Sequence, residues 1–110
     1  MNQAPVKVSI IIPHHKGETI LYKCLQSLHN TSYSNYEIIV VDNNSKDQSI
    51  LKSKKEFPEI KVLSLEQNLG YAGGCNKGAL EAQGELLWFL NNDTIHEKNW
   101  IEPLITMMDN

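Results

Sequence analysis

Arginine is absent from this sequence, and its 10 basic residues are all lysine. The guanidinium fork of arginine is the group that most often grips phosphates and bases through paired hydrogen bonds. The formal net charge is −3, and no basic stripe runs along the chain. A nucleic-acid surface depends on clustered positive charge. We therefore predict that nucleic acid is not a partner of this protein.

Cysteine and long hydrophobic runs are also scarce. Cys24 and Cys75 are the 2 cysteines, and neither belongs to a CxxC motif or a dense disulfide framework. Both fall in helix-like patterns, so we expect reduced thiols in the core of a cytoplasmic protein. No signal-peptide pattern opens the chain, and its apolar stretches are far shorter than the ~20 residues of a membrane span. Attachment of a longer protein to the inner face of the membrane stays open.

Predicted strands and helices alternate along the 110 residues, a length that suits one domain or part of a larger one. Short runs of apolar and β-branched residues indicate strands, and apolar residues three and four positions apart indicate helices. Ser45 and Gln48 have the spacing of a capping box, and Gly84 is expected to cap the third helix. The predicted strands are 6–12, 37–41, 60–65 and 86–90, and the predicted helices are 18–30, 45–57, 72–82 and 100–108.

The order βαβαβαβα predicts an α/β fold with right-handed crossovers and a parallel sheet. The doubly wound strand order 3-2-1-4 would place a ligand crevice between the first and fourth strands and leave one side of the sheet open. The last predicted helix reaches Met108, and the sequence stops shortly afterwards. We therefore expect residues 1–110 to be the front part of a longer protein.

Three polar clusters follow predicted strands and carry the functional argument. They occupy residues 13–16, 42–45 and 91–94. In a parallel sheet these clusters share the carboxyl edge, where open α/β folds bind ligands. Asp42 and Asp93 place a carboxylate in two of the three clusters. This arrangement indicates a site for a nucleotide and a cation.

Each candidate residue also has a purely local alternative. Asp93 can hold Mg²⁺ or Mn²⁺ through oxygen while phosphates complete the shell, or it can bond backbone N–H groups in a turn. Asp42 can accept hydrogen bonds from a base or a ribose, or it can serve the same turn role. His14 and His15 can stack on a base, or they can be solvated loop residues. The residue types alone leave these alternatives open.

The segment 68–78 is the densest in glycine. It matches neither the Walker loop nor the GxGxxG fingerprint. Glycines at the start of a helix let the backbone approach a ligand and leave N–H groups free for an anion. They can equally allow the helix to pack closely on the sheet. Both uses can hold together.

Taken together, these motifs resemble the nucleotide-binding half of family 2 glycosyltransferases, which have the Rossmann-like A-type glycosyltransferase (GT-A) fold. The resemblance runs from Val6 to Met108. It rests on four segments in order: VSIIIP (8–13), YEIIVVDNNSKD (36–47), NLGYAGGCNKG (68–78) and LNNDT (90–94). The last two are most similar to the rhamnosyltransferase-like branch.

The resemblance implies that a nucleoside-diphosphate sugar binds at this edge together with Mg²⁺ or Mn²⁺. Asp93 matches the last acid of the family's Asp-x-Asp motif, the one nearest the metal. Asn92 matches the middle position, near the ribose and phosphates, and Asp42 matches the contact to the base. The implied nucleotide-binding residues are Pro13, His14, His15, Asp42, Asn76, Gly78 and Asn92.

Three positions depart from the family pattern. The first acid of Asp-x-Asp is Asn91, so metal binding is expected to be weaker or more dependent on phosphate. The usual Tyr-Asn after the first strand is His15-Lys16, and the Arg often found before Asn76 is Cys75.

The resemblance also implies a reaction: inverting transfer of a sugar to a hydroxyl of a glycan or a lipid-linked acceptor, in polysaccharide or glycoconjugate synthesis. The family's general base is an Asp or Glu from a later segment, and no residue of this sequence matches it. We therefore expect this chain to supply the donor site only. By itself it should bind nucleotide weakly and transfer sugar poorly or not at all.

Two alternatives compete with this interpretation. A non-catalytic nucleotide-binding or dimerisation module would use the open sheet edge and the apolar last helix to form a homodimer. The residues expected on that helix face are Trp100, Ile101, Leu104 and Ile105. A sugar-nucleotide-forming nucleotidyltransferase would need a glycine-rich basic loop after the first strand, and residues 13–17 do not supply one.

Overall fold

The computed structural model describes residues 6–108, with the side chain of Met108 outside the described part. Strands and helices alternate as the sequence predicts. The strands are β1 (Val8–His14), β2 (Tyr36–Asp42), β3 (Lys61–Ser64) and β4 (Leu86–Phe89). The helices are α1 (Glu18–His29), α2 (Ser49–Glu56), α3 (Gly70–Glu81) and α4 (Ile101–Met108).

The four strands form one parallel sheet in the order β3-β2-β1-β4, which confirms the predicted α/β fold and strand order. β1 is central and has no exposed residue, because its apolar side chains are covered on both faces. His14 lies beside Asp42 in the ladder between β1 and β2. The polar residues that end these two strands are therefore neighbours.

Helices cover both faces of the sheet. On one face, Ile10 and Ile12 of β1 pack with apolar residues of α1 and with Ile101 of α4. On the other face, Ile11 and residues of β2 pack with Ala79 of α3. The alternation of consecutive β1 residues between the two clusters follows from the period of two along a strand.

Two predicted helix caps are wrong. The N–H of Ser45 donates to the Asp42 carboxylate at 2.8 Å, so this segment forms a turn and α2 begins later, at Ser49. The C-cap of α3 is Ala82 rather than Gly84. A Cβ added to Gly84 would lie 2.6 Å from the Ser9 nitrogen, so this glycine permits close contact with β1.

A buried carboxylate joins three strands at the amino edge of the sheet, opposite the polar clusters. Glu37 accepts hydrogen bonds from Lys61 (2.6 Å), from Ser9 (2.5 Å) and from the Gln83 backbone N–H (2.7 Å). Burial by itself raises the pKa of the Glu37 carboxyl, but these three bonds outweigh it and hold the pKa at about 2. The ionised group ties β1, β2 and β3 to the connection before β4.

Both cysteines are buried and free, as expected for core thiols. Within residues 6–108, no helix is both long and apolar enough to cross a membrane.

Candidate functional site

The three polar clusters converge at the carboxyl edge of the sheet. β1 and β2 end side by side, and the loop after β4 returns to them, because the Asn92 amide lies 2.9 Å from the His14 ring. The clusters and the glycine-rich segment border a hollow of about 250 Å³. The hollow is lined by Pro13, His14, His15, Asn43, Asn68, Gly70, Tyr71 and Asn92. The sequence prediction that these elements meet at one edge is confirmed.

His14 lies inside the wall of the hollow, with 1% of its surface exposed. Nε2 lies 2.7 Å from the Ser49 hydroxyl and Nδ1 lies 2.9 Å from the Asn92 amide nitrogen. Burial lowers the pKa of the ring, although Asp47 and Asp42 oppose the shift. His14 is therefore neither a solvated loop histidine nor a ring free to stack on a base, because β1 extends far enough to bury it.

Asp47 holds two loops of the site together. Its carboxylate accepts hydrogen bonds from the hydroxyl and N–H of Ser49 and from the Gly17 N–H at 2.9 Å. These bonds, that of the Ser49 hydroxyl above all, hold the pKa of Asp47 at about 2. Glu18 adds a second tie by accepting the Gln48 N–H at 2.9 Å. The loop after β1 is thus fixed against the start of α2.

Asn43 is a site residue that the sequence interpretation missed. It is 3% exposed, and its side chain accepts the Leu69 N–H at 3.2 Å and donates to the Gly70 carbonyl at 3.1 Å. Its carbonyl also accepts a hydrogen bond from His15 Nδ1 at 2.9 Å. One amide therefore fastens the glycine-rich segment to the sheet edge and helps to place the exposed His15 ring at the hollow.

The glycines of α3 bring the helix close to the sheet. A Cβ on Gly74 would lie 3.0 Å from Pro13, and a Cβ on Gly78 would lie 2.5 Å from Ile11 and 3.0 Å from Val41. The packing use of these glycines is confirmed. Gly78 faces the core rather than the hollow, and Asn76 is exposed on α3 but is not among the lining residues. Their nucleotide-binding roles stay predictions.

Asp42 and Asp93 also lie outside the lining of the hollow. Asp42 is half-buried, and the hydrogen bond that it accepts from Ser45 confirms the predicted turn role. The predicted contact of Asp42 to a base stays a prediction. Asp93 is exposed, and within residues 6–108 its carboxylate accepts no hydrogen bond, so the local alternative does not occupy it. The same residues contain no group of three His, Cys, Asp or Glu arranged to hold a metal. One carboxylate suits a cation whose remaining ligands are phosphate and water.

Comparison with known proteins identifies the family. The model of glycosyl transferase family 2 matches residues 9–110. The chain belongs to this family. The Glycosyltransferase GlyA of Streptococcus pneumoniae is 35% identical to this family 2 chain over 101 residues, which cover 89% of the chain and 14% of GlyA. The glucosyltransferase WfgD of Escherichia coli is 35% identical over 103 residues, which cover 92% of the chain and 40% of WfgD.

Solved structures agree with the family assignment. The crystal structure of S. aureus TarS 1-349 in complex with UDP-GlcNAc superposes with a TM-score of 0.85 at 28% identity, covering 94% of this chain and 31% of that one. The GT-A fold prediction is thereby confirmed. This family 2 chain spans between 14% and 40% of the length of the relatives named here. The finer likeness to the rhamnosyltransferase-like branch stays a prediction.

Tyr71 is a second residue that the sequence interpretation did not assign. It lines the hollow and is 48% exposed, and burial of its hydroxyl raises its pKa. The sequence signal that could have identified Tyr71 is its place directly after Gly70 in the glycine-rich segment. Tyr71 and His15 therefore give the hollow two exposed rings on which a planar group can stack.

Proposed function

We propose that this chain forms the donor site of a family 2 glycosyltransferase and binds a nucleoside-diphosphate sugar in the hollow at the carboxyl edge of the sheet. The observation that carries the proposal is the convergence of Pro13, His14, His15 and Asn92 around that hollow. The UDP-GlcNAc bound by TarS, at 28% identity, supports a uridine nucleotide as the first candidate. In this arrangement His15 and Tyr71 offer ring surfaces to the base, and Asn92 offers its side-chain amide to the ribose.

A divalent cation, Mg²⁺ or Mn²⁺, belongs to the proposed donor complex. Asp93 would hold it, with the diphosphate supplying further oxygens. Bound there, the cation would offset the negative charge that develops on the departing diphosphate. Asn91 stands at the first acid of the motif, so we expect the cation to bind together with the nucleotide rather than before it.

The proposed reaction is an inverting transfer. An acceptor hydroxyl, on a glycan or a lipid-linked acceptor, attacks the anomeric carbon from the face opposite the diphosphate. The bond from the anomeric carbon to the diphosphate oxygen breaks, and a general base takes the hydroxyl proton. The base and the acceptor site are proposed to come from residues beyond these 110, and the isolated chain is expected to transfer sugar poorly or not at all. The names of relatives, which include "O-antigen biosynthesis protein RfbC" of Myxococcus xanthus, support a role in polysaccharide synthesis.

Exposed apolar residues of β4 support the proposal that these 110 residues form only part of a larger domain. β4 pairs with β1, and its Leu87 and Phe89 are 37% and 42% exposed on the face that α3 covers only in part. Further chain of a larger domain would cover them. The cytoplasmic location inferred from the cysteines is part of the same proposal.

Calorimetric titration of UDP, GDP and dTDP, each with and without Mn²⁺, tests the donor site. We expect metal-dependent binding of at least one of them, and Asp93→Asn should remove the metal-dependent part. Glu97→Gln is the matched control, because Glu97 is an exposed acid in the same loop. Binding of none of the three nucleotides would count against the donor site. Equal metal dependence in the wild type and Asp93→Asn would count against the role of Asp93.

The dimerisation alternative is less well supported, because three of the four apolar residues predicted for that helix face pack internally. Ile101 is fully buried, and Trp100 and Ile105 pack against the main core. Trp100 also donates to the Thr31 hydroxyl at 3.0 Å. Leu104 remains 41% exposed. Light scattering distinguishes a donor site from a dimerisation module. A dimer whose formation is abolished by Leu104→Asp would favour the dimerisation module.

A further inference from the structure

A relay of hydrogen bonds connects the start of α2 with the loop after β4. It runs from the Asp47 carboxylate through the Ser49 hydroxyl to His14 Nε2, and from His14 Nδ1 to the Asn92 amide nitrogen. His14 and Ser49 are each 1% exposed, so water does not compete for these bonds. The four residues belong to three separate segments of the chain.

The direction of every bond in the relay follows from its charged end. An ionised carboxylate only accepts, so the single hydroxyl proton of Ser49 points to Asp47. The Ser49 oxygen must then accept from His14, which puts the ring proton on Nε2. Nδ1 is left as an acceptor, and a donor must face it.

The only donor that the side chain of Asn92 can present is its amide nitrogen. The relay therefore fixes which end of the amide faces the ring, a choice that the shape of an amide leaves undetermined. With the nitrogen turned to His14, the oxygen of Asn92 is the end left to accept from a ligand. Within residues 6–108 no hydrogen bond to that oxygen is found, and Asn92 lines the hollow.

We propose that His14 is a positioning residue, which Asp47 and Ser49 hold as the Nε2–H tautomer so that Asn92 presents its carbonyl oxygen to a ribose hydroxyl of the donor nucleotide. His14 acts through Asn92 and does not contact the ligand. The effect on ligand affinity rests on the proposed donor site, whereas the tautomer and the amide orientation do not.

Nitrogen-15 NMR of the His14 ring tests the relay without any ligand. The wild-type ring should show a protonated Nε2 and an unprotonated Nδ1. Ser49→Ala removes the acceptor for Nε2–H, so the ring should shift toward the Nδ1–H tautomer, which turns the Asn92 amide over. Ser49→Thr keeps a hydroxyl and should retain the wild-type signals. Asn92→Asp, which replaces the donor by an acceptor of the same size, should bring a proton onto Nδ1.

Ser53→Ala is the matched control. Ser53 lies one turn further along α2 and is also 1% exposed, but it is not part of the relay. UDP with Mg²⁺ serves as the probe of affinity. Ser49→Ala should weaken its binding about tenfold, the effect of one directed hydrogen bond, while Ser49→Thr and Ser53→Ala stay near the wild type.

Three results would overturn the proposal. They are a wild-type ring protonated on Nδ1, a Ser49→Ala ring that keeps the Nε2–H tautomer, and equal losses of affinity in Ser49→Ala and Ser53→Ala. Absence of UDP binding by the wild type would instead reject the proposed function. In that case the ring signals of the wild type and of Ser49→Ala still decide whether the relay sets the tautomer.

Discussion

Replacement of Glu37 by glutamine should destabilise the protein strongly at neutral pH and much less at pH 3. The carboxylate is 7% exposed and accepts three hydrogen bonds, which hold its pKa at about 2 against an ordinary value of 4.5. One pKa unit is worth about 1.4 kcal/mol, so ionised Glu37 contributes about 3 kcal/mol at pH 7. Glutamine keeps the size of the side chain but turns an amide N–H₂ toward Lys61 or the Gln83 N–H, which are also donors.

The sign of the pH dependence follows from the lowered pKa. A carboxyl whose pKa is lower in the folded than in the unfolded state stabilises the fold above the unfolded value of 4.5. That stabilisation is lost as the pH falls from 4.5 toward 2, and more than half of it is gone by pH 3. The wild type should therefore lose stability over this window, and Glu37→Gln should lose less.

Urea unfolding of both proteins at several pH values from 7 to 3 measures this difference. We expect Glu37→Gln to be less stable by about 2–3 kcal/mol at pH 7 and by about 1 kcal/mol at pH 3. The control is Glu59→Gln, because Glu59 pairs with His29 on the surface and both side chains are more than half exposed. An exposed pair should be worth less than about 1 kcal/mol. The same loss at both pH values for Glu37→Gln would refute the reasoning.

Three further predictions concern the site and its support. Gly78→Ala places a methyl against Ile11 and should lower the unfolding free energy by about 1–2 kcal/mol in thermal or urea unfolding. The control, Asn76→Ala on the exposed side of α3, should lower it by less than about 0.5 kcal/mol. Equal effects of the two substitutions would contradict the packing role of Gly78. Asn43→Ala removes both side-chain hydrogen bonds to the glycine-rich segment and should lower the unfolding free energy by about 2 kcal/mol. The Leu69 amide should also lose protection in hydrogen exchange, and unchanged protection would contradict this role of Asn43. His15→Ala should weaken UDP binding about tenfold if the ring stacks on the base, while His29→Ala should leave it unchanged.

The sheet could be predicted from the sequence because its signals are local. Runs of apolar residues set the strands, and alternation with amphipathic helices set the parallel order. The start of α2 could not be predicted this way, because the Ser45 and Gln48 pattern competes with the turn that Asp42 makes with Ser45. The choice between these two uses of the backbone depends on where β2 ends.

The interior of the site depends on contacts between distant parts of the chain. The partners of His14 are Ser49 and Asn92, which lie 35 and 78 residues away, and no local pattern announces them. The backbone groups to which the Asn43 side chain hydrogen-bonds belong to residues 26 and 27 positions away. The sequence therefore identified the edge at which the site forms, but not which of its polar residues face a ligand and which hold the others in place.

The most direct test of the donor site is a titration of the protein with UDP and Mg²⁺, followed residue by residue through its backbone amide NMR signals. The proposal predicts that the largest shifts fall on the residues around the hollow: His15, Asn43, Tyr71 and Asn92. The amino edge of the sheet, around Glu37, should stay unchanged and serves as the internal reference. Shifts centred on that opposite edge, or spread evenly over the surface, would contradict the account.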